Sequence, residues 1–322
     1  MEIEIEYKYI IEIVAMRLAK RCHQFNKMSE LKNKNLYPDE ETSLLEHYSD
    51  FDNVFVGFLP FFKLNKENCD TKSSKKIISL EEAREKDEIF KIIGNYSNVS
   101  IYSSNDCYPS DEEILQSGKV KTWKEIIENT EFENYKELNK ALMTSIGAFK
   151  EELQRDDLLE ILDKYTEKNN IWHPTKGMFD YFTKASIYDI IKSANITEIE
   201  VEDEFYENRK IIDLTSLTKN EFCKKIDFKD YYIYSKDKKI LFSISWDYFF
   251  FFIAINEKAF SKQEIEKYFE GFWATENDSH LWYWDKGEID GLLNNENENI
   301  KEKNNKYWWQ HAINAIWRVL RA

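Results

Sequence analysis

Cysteine, proline and glycine are scarce in this sequence, with four, four and eight among 322 residues. Cys22, Cys69, Cys107 and Cys223 stand far apart, form no Cys-x-x-Cys pair, and have only His23, beside Cys22, near ligand spacing. No metal-binding cysteine motif results, and the thiols are expected to be reduced and mostly buried. The few glycines form no loop ending in Lys-Ser or Lys-Thr, no Gly-x-Gly-x-x-Gly and no Gly-x-Ser-x-Gly, and His-Glu-x-x-His is missing too. Nucleotide-dependent and zinc-protease chemistry therefore have no signature to rest on.

Positive charge is also short. Lys and Arg number 45 against 60 Asp and Glu, a net charge of −15, and such a surface repels phosphate backbones. The densest basic stretch, Lys236 to Lys239, contains Asp237 and reads as a hairpin turn, so no nucleic-acid partner is expected. The longest apolar run, Tyr248 to Ile255, has eight residues, against the roughly 18 to 20 of a membrane helix. Met1-Glu2-Ile3-Glu4-Ile5-Glu6 lacks the basic start and apolar run of an export signal. A soluble, cytoplasmic protein without membrane association is the expectation.

What is present is ordinary globular material, 42% apolar and 33% charged. Five Ser or Thr residues stand three before a Glu, where side chain and backbone can cap each other at a helix start. They are Ser79 with Glu82, Ser110 with Glu113, Thr122 with Glu125, Thr218 with Glu221, and Ser261 with Glu264, with Gly94, Gly118 and Gly271 as stops. Helical stripes run through Ile10, Ile13, Val14 and Leu18, and through Leu138, Leu142, Ile146, Phe149 and Leu153, with another beginning at Leu158, Leu159 and Leu162. Val54 to Pro60 reads as a buried strand ended by proline.

After about residue 197 the period becomes two. Ile199, Val201 and Phe205 alternate with acids, as in a half-buried strand, and Tyr231–Tyr234, Ile240–Ile244 and Tyr248–Ile255 make an antiparallel meander. The expected fold is α+β, a mainly helical N-terminal part packed on an antiparallel sheet with flanking helices. Residues 1–195 would form a mainly helical lobe with the buried strand near 54–60. Residues 196–322 would form an α+β lobe with the meander, an aromatic segment, a polar linker at about 286–305 and a C-terminal helix carrying Trp308, Trp309 and Ile316.

Tyr108-Pro109-Ser110-Asp111-Glu112-Glu113-Ile114, Gly118 to Trp123 and Ala141 to Ala148 resemble an uncharacterised domain-of-unknown-function family of Gram-positive bacteria. The likeness is best over residues 108–162 and looser through Trp246 to Phe250 and Glu270 to Trp273. It implies a cytosolic bacterial protein, and no functional residue is carried over by it.

Candidate chemistry concentrates in three places. Glu276-Asn277-Asp278-Ser279-His280 offers Glu276, Asp278 and His280 as ligands for a divalent metal, with His280 also a possible base. The competing account is a polar turn between aromatic anchors. His173, before Pro174, sits in an extended loop that could reach a cleft, or could satisfy a backbone group beside Trp172. Trp246, Trp273, Trp282 and Trp284 crowd about the Phe249–Phe252 run with Asp247 among them. Such rings serve as core, pocket lining or interface anchors.

No catalytic residue and no cofactor follow from these residues. The favoured function is a non-enzymatic intracellular binding or regulatory protein, toxin-neutralising being one form, whose acidity suits a basic protein partner. The alternative is a small-molecule binder or divalent-metal-dependent hydrolase with an aromatic-lined site between the lobes.

Overall fold

An apolar run interrupted by one proline makes two strands that belong to different sheets. In the computed structural model, which describes residues 35–39, 42–66, 69–86, 101–150, 153–285 and 288, β1 (Asn53–Phe58) and β2 (Phe61–Lys63) flank Leu59-Pro60. Proline cannot donate to a ladder, so the chain leaves the first sheet there and enters the second. The further strands are β3 (Lys75–Ile78), β4 (Ile101–Ser104), β5 (Lys119–Lys121), β6 (Ile171–Trp172), β7 (Glu198–Asp203), β8 (Arg209–Asp213), β9 (Asp230–Tyr234), β10 (Ile240–Ile244), β11 (Phe250–Ile255) and β12 (Gly271–Trp273).

Seven of these strands form one antiparallel sheet in the order β12-β1-β11-β10-β9-β7-β8. Three more form the sheet β5-β2-β6, and β3 pairs with β4. The α+β class holds, and the meander β9-β10-β11 is as expected. The first 195 residues also supply strands to all three sheets, and β1 lies within the large one.

The helices, in chain order, are α1 (Leu44–His47), α2 (Leu80–Lys86), α3 (Asp111–Ser117), α4 (Trp123–Glu128), α5 (Tyr135–Ser145), α6 (Asp156–Asn169), α7 (Tyr181–Ser193), α8 (Lys219–Lys225) and α9 (Lys262–Tyr268). Reciprocal capping boxes start α3, α4, α8 and α9, and Ser79 accepts the Glu82 N–H at 3.0 Å ahead of α2. Gly118 stops α3 as expected, but α9 ends at Tyr268, with Phe269 as its cap, and Gly271 is a strand residue. The stripe through Phe149 and Leu153 does not continue one helix. Gly147 takes φ +65° just past α5, and a side chain there would meet the Tyr102 ring at 2.4 Å.

Register decides what each sheet face carries. Phe58 opposes Phe250 and Val56 opposes Phe252, while Phe55 opposes Ile253 and Gly57 opposes Phe251. All four consecutive Phe, 249 to 252, are fully buried, so both faces are covered. Phe58 and Phe250 meet Trp282, and Phe58 stacks on Trp123 at 4.3 Å. On the other face Phe251 packs against Phe179 and Phe269. Each buried ring contributes about 1.5–3 kcal/mol of transfer free energy.

This assembly lies within Tyr37–Tyr283, which forms one compact unit. The stripe from Ile10, Gly94, the C-terminal helix and all of the polar linker but Glu288 lie outside the described residues. Among the described residues no helix is long and apolar enough to cross a membrane.

The thiol expectation needs correction. Cys69 and Cys107 are joined as a disulfide, and Cys223 is the buried free thiol among the described residues. The two partners stand 38 positions apart, and no spacing motif announces such a pair.

A Cβ at position 271 would sit 1.9 Å from the Val56 carbonyl oxygen across the β1–β12 ladder. Gly271→Ala is expected to cost about 3 kcal/mol, read as a fall in the urea midpoint at unchanged slope.

Candidate functional site

Helix α6 ends where Asn170 adopts φ 51°, a left-handed position that Asn tolerates, and the chain turns directly into β6. The turn brings His173, just beyond β6, back against the last turns of α6. His173 Nε2 lies 3.3 Å from Thr166 Oγ1 and 3.6 Å from Asp163 Oδ1. The Thr166 hydroxyl donates to Leu162 O at 2.9 Å, so the bond to His173 is made by an Nε2–H donating to that hydroxyl oxygen. Nδ1 is then a bare acceptor, and it has no partner.

The backbone of His173 is held from both sides. Its N–H donates to Lys72 O at 3.1 Å, and its carbonyl accepts the Tyr108 hydroxyl at 2.7 Å. Lys72 is itself buried, with Nζ 4.6 Å from the Trp172 ring centroid, and burial lowers its pKa.

The outer face of α6 carries an open hollow of about 520 Å³ lined by Asp156, Leu159, Glu160, Asp163, Lys164 and Glu167. Four carboxylates share it with one lysine. Desolvation, then repulsion from Glu167 one turn on, raises the Asp163 carboxyl to about 7. Burial drives His173 down to about 3, so the imidazole is neutral at physiological pH. A neutral ring supplies no charge to draw the proton off Asp163.

The other sequence candidates do not converge. His280 is buried, with Nδ1 3.1 Å from Asp39 O and its ring against Tyr37 and Tyr248. The Asp278 carboxylate accepts the Thr275 N–H and hydroxyl at 2.8 and 2.7 Å, and Glu276 is exposed. Among the described residues no group of three His, Cys, Asp or Glu is placed to hold a metal ion.

The aromatic candidates are dispersed in the same way. Asp247, at φ 63°, pairs with Lys176, whose Nζ lies 5.4 Å from the Trp246 ring centroid. Trp273 is on β12, donating to Glu266 at 2.7 Å and edge-on to Phe55. Trp282 is buried among Phe58, Phe250 and Phe272. Trp284 is half-buried and follows the Tyr37–Tyr283 unit.

Several chemistry-bearing residues escaped sequence reading. Asp163 and Glu167 carried a weak signal, two like charges at i, i+4 on a foreseeable helix. Glu200 and Glu202 read as the solvent half of an alternating strand, yet both are 3% exposed. Arg209 on β8 pairs with both, and Tyr234 on β9 donates to Glu202. Glu270 accepts the backbone N–H groups of Trp123 and Lys124, each at 2.7 Å, from nearly 150 residues away.

Asp163 titrates near 3.8 when unfolded and near 7 when folded. The folded state therefore holds a proton that the unfolded state releases between those values, and this costs stability as pH rises through the window. Asp163→Asn removes that dependence. The variant is expected to gain stability relative to the parent between about pH 4 and pH 7, in paired urea titrations at several pH values.

No solved structure matches the chain. A 108-residue stretch is 32% identical to the uncharacterised protein YwbB of Bacillus subtilis (strain 168), covering 34% of this chain and 48% of that protein. The chain thus spans about half the length of this relative. The sequence profile of a family described only as protein of unknown function (DUF2711) matches residues 40–284, which take in β1 through β12 and the His173 turn. The chain belongs to that family.

Proposed function

We propose that the protein is a non-enzymatic binding protein that takes a basic partner on the outer face of α6. The carrying observation is the hollow lined by Asp156, Glu160, Asp163 and Glu167 with Lys164 as its one cation. These acids recur at helical spacing along one face over about three turns. Desolvation leads in keeping the proton on Asp163, and the Glu167 charge that adds to it attracts any other cation as well. A positively charged segment docking there would relieve the repulsion, and the overall charge of −15 would speed its approach.

The aromatic-lined small-molecule or metal-hydrolase alternative has less support. His173 is fully buried, and the rings of Phe58, Phe250, Phe272 and Trp282 close on one another. A regulatory or toxin-neutralising role in the cytoplasm is one form the favoured function can take.

An oligolysine peptide serves as the probe. It is expected to bind at low salt, to lose about tenfold in affinity in an E160Q/D163N/E167Q variant, and to bind more tightly at pH 8 than at pH 6 as Asp163 ionises. Equal affinity of parent and triple variant by calorimetry would remove the α6 face as the site.

A further inference from the structure

The Cys69–Cys107 bridge ties together the two segments that grip His173. From the Cys69 side, the strap Thr71–Lys75 runs past His173 and gives it the Lys72 carbonyl. From the Cys107 side, Tyr108 gives its hydroxyl to the His173 carbonyl. Asn105 fastens strap to loop, donating Nδ2 to Thr71 O at 3.2 Å and Ser73 O at 2.8 Å, its N–H to Ser74 O at 3.0 Å, and accepting the Cys107 N–H at 3.0 Å. Both cysteines are half-buried and pack beside Phe62, Leu64, Ile114 and Trp172.

We propose that Cys69–Cys107 is a thiol–disulfide exchange site whose reduction by a dithiol opens the clasp on the His173 turn. In a reducing compartment such bridges are characteristically transient and redox-sensing. A thiolate of the reductant attacks one protein sulfur, forming a mixed disulfide and releasing the other cysteine as thiolate. The second reductant thiol then displaces the first cysteine. Two electrons and two protons pass to Cys69 and Cys107, and the dithiol leaves as a disulfide. The clasp does not depend on α6 binding a partner, and its test reads neither binding nor activity.

Full-length protein purified in air without reductant is quenched with N-ethylmaleimide, and its peptides are mapped. Cys69 and Cys107 are expected to resist labelling until dithiothreitol is added, when the chain gains two hydrogens. Reduction is expected to speed hydrogen exchange in residues 70–76 and 171–175 by about tenfold or more and to lower the melting temperature by about 5–10 °C. A C69S/C107S variant should match the reduced protein and ignore dithiothreitol, and reduction of the parent carries the test if that variant does not fold. Free thiols at both positions in the air-purified protein would overturn the proposal. So would a bridge that dithiothreitol leaves intact, or reduction that leaves exchange at 171–175 unchanged.

Discussion

The segment Asn53–Lys63 is the constraint on which the rest of the fold hangs, because one short stretch of chain is a strand in two sheets. As β1 it pairs along six residues with β11 and along three with β12. As β2 it pairs with both β5 and β6. The link between them is fixed as tightly: Leu59 donates to Phe249 O at 2.9 Å and accepts the Trp123 indole at 2.8 Å. β6 is thus anchored to the same segment as the large sheet, and the His173 turn inherits its position from that anchor. Truncating a ring such as Phe55 or Phe61, both nearly inaccessible, would leave a cavity costing about 3–5 kcal/mol and loosen two sheets together.

Carboxylates in this protein sort into those that have been given donors and those that have not. Glu270, pushed up by burial, is held by two N–H groups at the start of α4, where the helix dipole favours a negative group. Glu200 and Glu202 share Arg209, with Tyr234 as a further donor. Each of these acids has a structural task that accounts for it. The α6 face is different in kind. Asp156, Glu160 and Glu167 are exposed, with only Lys164 opposing them in the hollow, although Asp156 stands in the first turn of α6, where the helix dipole favours an acid.

The sequence was most legible where local chemistry decides. Capping depends on residues three apart, and the boxes at Ser110, Thr122, Thr218 and Ser261 formed as read. Phe249–Phe252 could be recognised as covered on both faces because strand geometry alone demands it. The metal and aromatic candidates rested on proximity in sequence alone. Asp278 and His280 are two apart, yet one organises the Thr275 turn and the other faces Asp39. What could not be read was long-range: the Cys69–Cys107 bridge, Glu270 reaching α4, and Arg209 folding back over β7 to neutralise acids that alternation alone assigns to solvent.

His173 and Asp163 show how far such long-range contacts govern chemistry. Their shifts oppose each other in sense, and desolvation leads in both: it is complete for His173, while Asp163 keeps one side on the hollow and adds repulsion from Glu167. If water reached the ring, His173 would recover basicity toward its ordinary 6.5 and become charged below that pH. A cation 3.6 Å from Asp163 Oδ1 would then favour its ionised form, so both shifts would collapse together. Lys72 and Tyr108 bond the backbone of His173 on its N–H and carbonyl, and neither residue neighbours α6 in sequence. Two segments that contribute no side chain to the hollow thus fix the backbone of the histidine that faces Asp163.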